Sequence, residues 1–187
     1  MMRKILHLCG IAILIPFSVL AISLDEIQNN PDKFTSVFSN QLAELFVNRD
    51  SLKIIRYAPP YYVIEGTYFL VSYHSNFIME STISISYDYN KSAGTRFLEA
   101  MDSFPDYNLE RMWNEVVVPQ LMADSGLIAS DEIVQNFDLT GTPLTSKTKM
   151  KSLLGLEPIP AGSPLWYVGN YFFEKCYNIN FTGIIRE

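Results

Sequence analysis

Residues 61–73 read YYVIEGTYFLVSY, residues 74–76 HSN and residues 77–89 FIMESTISISYDY. The first segment is β-branched and aromatic on both sides, which predicts a buried central strand from Tyr61 to Tyr73. The second alternates. Phe77, Met79, Ile83, Ile85, Tyr87 and Tyr89 fall on one side, and Glu80, Thr82, Ser84, Ser86 and Asp88 on the other, the period of a strand with one wetter face. His74-Ser75-Asn76 is short enough to join the two as an antiparallel hairpin. A shorter strand, Leu52 to Tyr57, precedes them and stops before Pro59-Pro60, which cannot continue a ladder.

Helices are predicted on either side of this block. Ser23, three residues before Glu26, has the form of a capping box. Asn30 followed by Pro31 suits the start of a helix. Phe34, Val37, Phe38, Leu42, Leu45 and Phe46 then recur at three- and four-residue spacing, which predicts a helix over Asp32–Asn48. Downstream, Ser92–Phe104 and Asn108–Leu121 read as helices, with Pro119 kinking or ending the second and Gly126 terminating the run. A short helix is expected from Ser130, burying Ile133, Val134 and Phe137. Glycines and prolines punctuate 138–164, where only Ser146 to Leu154 reads as helical. Long irregular connections of this kind are often binding loops. Leu165–Phe173 and Tyr177–Ile185 read as a closing hairpin. The fold class is therefore α+β, an antiparallel sheet of about five strands packed by N-terminal and central helices.

The first 21 residues carry a different signal. Arg3 and Lys4 precede an apolar run from Ile5 to Leu20, and Val19 to Ala21 offers small residues for cleavage, the pattern of a secretory signal peptide. A spanning helix needs about 20 apolar residues, and this run is interrupted by His7, Gly10 and Pro16. The expected organisation is a signal peptide over 1–21 and a single exported domain over 22–187, periplasmic or secreted. An uncleaved leader would instead make the protein a membrane-anchored component. Without the leader the chain has one histidine, His74, and one cysteine, Cys176, so no intramolecular disulfide forms in an oxidising compartment. Small secreted animal domains usually carry several, and their absence points to a bacterial envelope or secreted protein.

Charge and chemistry narrow the functional classes. Of 14 Lys and Arg, two lie in the leader, leaving a net charge of −8 against 20 Asp and Glu. That sign and the lack of a basic cluster exclude nucleic acid as the expected partner. Two imidazole and thiol ligands are too few for a zinc site, and no cofactor motif is complete. Gly141–Thr148 lacks the glycine that a phosphate-binding loop needs where Ser146 stands. Ser146 and Lys149 fit the S-x-x-K of penicillin-recognising enzymes without its companion motifs. Two carboxylate pairs, Glu99 with Asp102 and Glu65 with Glu80, have residue types that hydrolyse glycosidic bonds. His74 with Cys176 is the one imidazole–thiol combination.

Tyrosine is the more abundant resource. Tyr57, Tyr61, Tyr62, Tyr68, Tyr73, Tyr87 and Tyr89 crowd the strands, and Trp166, Tyr167 and Tyr171 open the last hairpin. A flat apolar ring with a polar tip suits a core margin and a binding face alike. The expected function is an exported, non-enzymatic binding module acting on an envelope or extracellular protein or glycan through Tyr61, Tyr62, Trp166 and Tyr167. The rival reading is a small extracytoplasmic hydrolase using carboxylates or Ser146 with Lys149.

Overall fold

The segment that reads as the clearest helix, Asp32–Asn48, is instead a β-hairpin in the computed structural model, which describes residues 22–144 and 156–182. Strand β1 (Phe34–Ser39) pairs antiparallel with β2 (Ala43–Ala58). Asn40 makes the turn, its side-chain oxygen accepting from the backbone N–H groups of Leu42 and Ala43 at 2.8 and 2.9 Å. This is the Asx chemistry that competes with helix. A bulge between Ser36 and Phe38 shifts the register, so the two-residue alternation breaks and the apolar positions imitate helical spacing.

β3 (Tyr61–Ser72) and β4 (Phe77–Asp88) follow as the quoted sequence predicts, paired from Tyr61 with Asp88 to Ser72 with Phe77. Asn76 takes a left-handed conformation, φ 52°, in the turn. The sheet runs β1-β2-β3-β4-β5-β6, all antiparallel: five long strands and a two-residue sixth, Glu157–Pro158. β5 (Leu127–Asp138) occupies the region read as a short helix from Ser130. Ala129, Asp131 and Ile133 alternate along it. A register shift beside Val134 then turns Phe137 to the other face, opposite Ile78.

Helices cover the sheet unequally. α1 (Leu24–Asn29), capped by Ser23, lays Ile27 with Ile22 on Phe34, Phe46, Phe69, Val71, Ile78 and Phe137 at one end of one face. The other face carries α5 (Pro164–Tyr177), which replaces the expected strand Leu165–Phe173. Ser163 caps α5 and Pro164 takes its first position, the preferred chemistry of a helix start. Trp166, Val168, Phe172 and Phe173 then bury against Leu45, Val47, Ile64, Ile83 and Ile85. Two glycines set how closely helix and sheet approach. A Cβ on Gly66 would stand 2.6 Å from a Phe172 ring carbon, and one on Gly169 2.5 Å from Leu127 Cδ2. The Tyr87 hydroxyl donates to the Gly169 carbonyl at 2.8 Å.

Between β4 and β5 the chain makes a helical excursion with its own small core of Ala93, Ala100, Met112, Val117 and Leu121. α2 (Ala93–Ser103) starts at Ser92 and α3 (Leu109–Met112) at Asn108, as their capping residues predict. Pro119 does not end the second helix. A π-helical turn, Trp113–Val117, precedes it, with the Val118 N–H reaching the Trp113 carbonyl, and α4 (Val118–Ala123) continues beyond. The wider turn eases the clash between a proline ring and the carbonyl four residues back. No helix among the described residues is long and apolar enough to cross a membrane.

Candidate functional site

Strand length and helix length decide where side chains are left uncovered. β2 has 16 residues, about 53 Å of strand at 3.3 Å each. α5 has 14 residues, about 21 Å at 1.5 Å each. α5 packs on Leu45, Val47 and Leu52 of β2, and only its last residues, Cys176 and Tyr177, border Ile54 and Tyr57, where the end of β2 forms an arm with the start of β3. Between Asn48 and Lys53 the pairing slips, and Ser51 pins the irregularity. Its hydroxyl donates to the Asn48 carbonyl at 2.6 Å and accepts from the Thr67 N–H at 2.8 Å. Beyond it, Ile54 (50% exposed), Ile55 (56%), Tyr57 (66%) and Tyr61 (49%) stand out towards solvent around the Pro59–Pro60 turn.

The four expected binding residues are divided by this geometry. Tyr61 is exposed at the arm and borders a groove of about 250 Å³ with Arg56, Ser86, Lys91, Asp124 and Ile128. Tyr62, next in sequence, points to the opposite face and joins an aromatic cluster, 5.2 Å from Phe173 and 5.1 Å from Tyr177 between ring centroids. Burial pushes its phenol up, and the neighbouring Tyr57 and Tyr89 add to the shift. Trp166 is buried in the core under α5, so it offers no binding face. Tyr167 is partly exposed near the start of α5, 5.6 Å from Phe38, away from Tyr61. The four residues therefore share no single face: Tyr61 and Tyr62 both border the groove while the Tyr62 ring turns to the aromatic cluster, and the helical fold of 164–177 turns Trp166 inward.

At the groove floor Lys91 Nζ donates to Asp124 Oδ2 at 2.6 Å and lies 4.0 Å from Asp88 Oδ2. This bond, with the Gly126 N–H, holds the Asp124 carboxyl below its usual range, and it raises the Lys91 ammonium. Gly126 has φ +75°, and a Cβ there would meet Lys91 at 2.8 Å and the Asp88 carbonyl at 3.0 Å. The glycine lets β4, the ion pair and the end of α4 converge.

The expected catalytic pairs fare differently. Cys176 sits at the end of α5 beside Tyr177, which packs on Tyr62. His74 lies exposed in the β3–β4 turn, twelve residues further along β3 and about 40 Å away by strand rise. They form no dyad. Glu65 pairs with Ser84 and Glu80 with Phe69, four residues apart on the ladder, about 13 Å. That exceeds the separation of glycosidase carboxylates. Glu99 and Asp102 are exposed on α2. Ser146 and Lys149, the helix Ser146–Leu154 and the leader lie outside the described residues. Gly141, φ +92°, closes a turn in which Asp138 Oδ1 accepts from the Thr140 and Thr142 N–H groups. Among the described residues no group of three metal-ligating side chains converges.

A second cavity, about 280 Å³, lies on the helix-covered side, between Ala129 and Asp131 of β5 and the segment Pro158–Leu165. Asp131 is only 8% exposed. Its Oδ2 accepts from the Tyr68 hydroxyl at 2.9 Å, and its Oδ1 is sealed from solvent. Burial pushes the Asp131 carboxyl up, although hydrogen bonding from Tyr68, the Glu132 N–H and Ser81 pulls the other way. The Tyr68 phenol is also raised, first by burial and then by this carboxylate. Sequence reading missed Asp131 because 130–137 reads as helix. Read as a strand, Leu127, Ala129, Asp131 and Ile133 alternate inward, and the one acidic residue among them stands out.

Comparisons with protein-family models, with curated proteins and with solved structures find no match for this chain.

Proposed function

We propose that the protein is an exported, non-enzymatic binding module that engages an extracytoplasmic protein through the β2–β3 arm. One observation carries the reading: Ile54, Ile55, Tyr57 and Tyr61 are large, apolar and 49–66% exposed around the Pro59–Pro60 turn at the end of the β2–β3 hairpin. Scattered surface leucines and isoleucines need no explanation; here large side chains gather around one turn, Ile54 and Tyr57 beside the end of α5 and Tyr61 on the opposite face with Arg56. Arg56 and the tyrosines are the residue types that protein interfaces favour. Export is supported by the charged and apolar leader, and the absence of chemistry by a chain whose one imidazole and one thiol, beyond that leader, are far apart.

The test is capture from mildly cross-linked envelope and medium, comparing the wild type with Ile55→Ser/Tyr61→Ser and with Tyr167→Ser. The expected result is one near-stoichiometric protein that the arm variant loses and the Tyr167 variant keeps. An arm variant with unchanged melting behaviour that captures the same protein as the wild type overturns the proposal. Capture of glycan alone also overturns it, in favour of a polymer-binding role.

A further inference from the structure

The helical excursion between β4 and β5 holds a cation that the fold leaves without an acceptor. Arg96, near the start of α2, is only 8% exposed, and a guanidinium at that depth calls for oxygen acceptors, preferably charged ones. Among the described residues no carboxylate or carbonyl pairs with its side chain. Asp124 feels its charge, but the Asp124 oxygens already accept from Lys91 Nζ at 2.6 Å and the Gly126 N–H at 2.9 Å. Glu99 is exposed one turn further along α2 and makes no ion pair with it. Of the three guanidinium nitrogens Nη1 is sealed from solvent, whereas Nε and Nη2 are not sealed and have no partner either. Those two nitrogens are the side-on edge of the fork, whose parallel N–H bonds match the two oxygens of one carboxylate. Arg96 lines a cleft of about 330 Å³ between the start of α2 and the end of α4, with Asn90, Lys91, Glu99, Gln120 and Ala123 around it.

We propose that this cleft binds a small polar monocarboxylate, its two oxygens accepting from Arg96 Nε and Nη2 and its body meeting the amide side chains of Asn90 and Gln120. The volume sits at the lower end for ligand pockets, which selects small molecules. Charge sets the valence. Of the two cations that line the cleft, Lys91 already serves Asp124 and lies 4.0 Å from Asp88. Arg96 is the one charge left to answer a ligand, and Glu99 stands at the rim. One negative charge is matched there, and a dianion brings a second that nothing offsets. The cleft shares Lys91 alone with the groove beside Tyr61, so this proposal and that of the arm fail separately.

The probe is glycolate, titrated into isotopically labelled protein at fixed ionic strength near neutral pH, with glycolamide as the uncharged match and inorganic phosphate as the dianion. The expected result is saturable shifts of the Arg96 Nε–H signal and of the Lys91, Gln120 and Ala123 amides with glycolate. Glycolamide should bind about tenfold more weakly or worse, because the charge-assisted bonds are lost, and phosphate more weakly than glycolate. Arg96→Lys keeps the charge without the fork and should also weaken glycolate about tenfold. Should Arg96→Lys fail to fold, Gln120→Glu changes an exposed residue, adds a carboxylate to the wall and must weaken glycolate while leaving the melting temperature in place. The proposal is overturned if glycolate gives no saturable shifts at these residues. Equal affinity for glycolamide, tighter binding of phosphate, or undiminished binding by either folded variant overturns it too.

Discussion

The two halves of β2 are one strand with two environments. Leu45, Phe46 and Val47 are buried between α5 on one face and the α1 cluster on the other. Lys53 to Tyr57 are exposed at every position. Composition does not explain the contrast, since Ile54 and Ile55 are as apolar as Leu45 and Val47. Cover does: α5 lies over Leu45 and Val47, whereas only its last residues, Cys176 and Tyr177, border Ile54 and Tyr57, and the α1 cluster does not extend to them. The boundary falls where Ser51 secures the slipped register. Burial here follows which element lies above, and the exposed half becomes surface available to another molecule.

The sharpest way to break the comparison is to weaken the cover. Phe172 is fully buried and fills the space above Gly66. Phe172→Ala should cost about 3–5 kcal/mol, the range for deleting a buried aromatic side chain, read as a loss of unfolding free energy in denaturant. Gly66→Val attacks the same contact from the sheet side. Its new side chain would begin 2.6 Å from Phe172 and 2.7 Å from Leu52, and about 1–3 kcal/mol is expected from such overpacking. If Gly66→Val proved neutral, the close approach of α5 to the sheet would not be what holds the covered half.

The same two halves explain what was legible in the sequence. β3 and β4 pair without a register shift over twelve residues, so their composition and period were readable directly. β1, β2 and β5 each contain a shift, and each was obscured where it occurs. A bulge moves the next side chain to the other face, turning alternation into a spacing that resembles a helical turn. That is why Phe34, Val37 and Phe38 read as one helix face, and Ile133, Val134 and Phe137 as another. The α5 error has a different cause. Tyr167, Tyr171 and Phe173 have strand propensity, and tertiary packing with the Ser163–Pro164 start overrides it. Of the candidate site, Tyr61 was legible as an aromatic beside a turn. Its separation from Tyr62 depended on alternation, and that of Trp166 on the helix.

Asp131 sharpens the comparison from within the covered half, because there cover has a cost. Burial raises its carboxyl above the ordinary value of 3.8. The folded state therefore holds a proton that the unfolded state releases first, and stability falls as pH rises between the two values. Asp131→Asn removes that loss. The variant should melt higher than the wild type at about pH 7, and the difference should disappear below about pH 4, where both states of the wild type are protonated. Glu80, raised by burial, and Asp124, lowered by Lys91, titrate in both proteins and cancel. Thermal melts across pH check this. A difference that stays constant with pH would place its origin in packing around Tyr68 rather than in the buried charge.

The smallest expected effect on stability is the one on which the contrast turns. Ile55 and Tyr61 are 56% and 49% exposed and belong to neither cluster that packs the sheet faces, so Ile55→Ser and Tyr61→Ser should each change unfolding free energy by no more than about 0.5 kcal/mol. Serine at these positions also removes apolar surface from water, which costs the isolated fold nothing. An arm kept apolar at no gain to the fold is consistent with a cost borne for association, and hot-spot side chains at interfaces behave in this way. The informative pairing is therefore stability with capture, measured on the same variants. Near-unchanged melting together with a lost partner assigns the arm to binding. A loss of stability comparable to that of Gly66→Val would instead make Ile55 and Tyr61 part of the fold, and the two halves of β2 would no longer differ in kind.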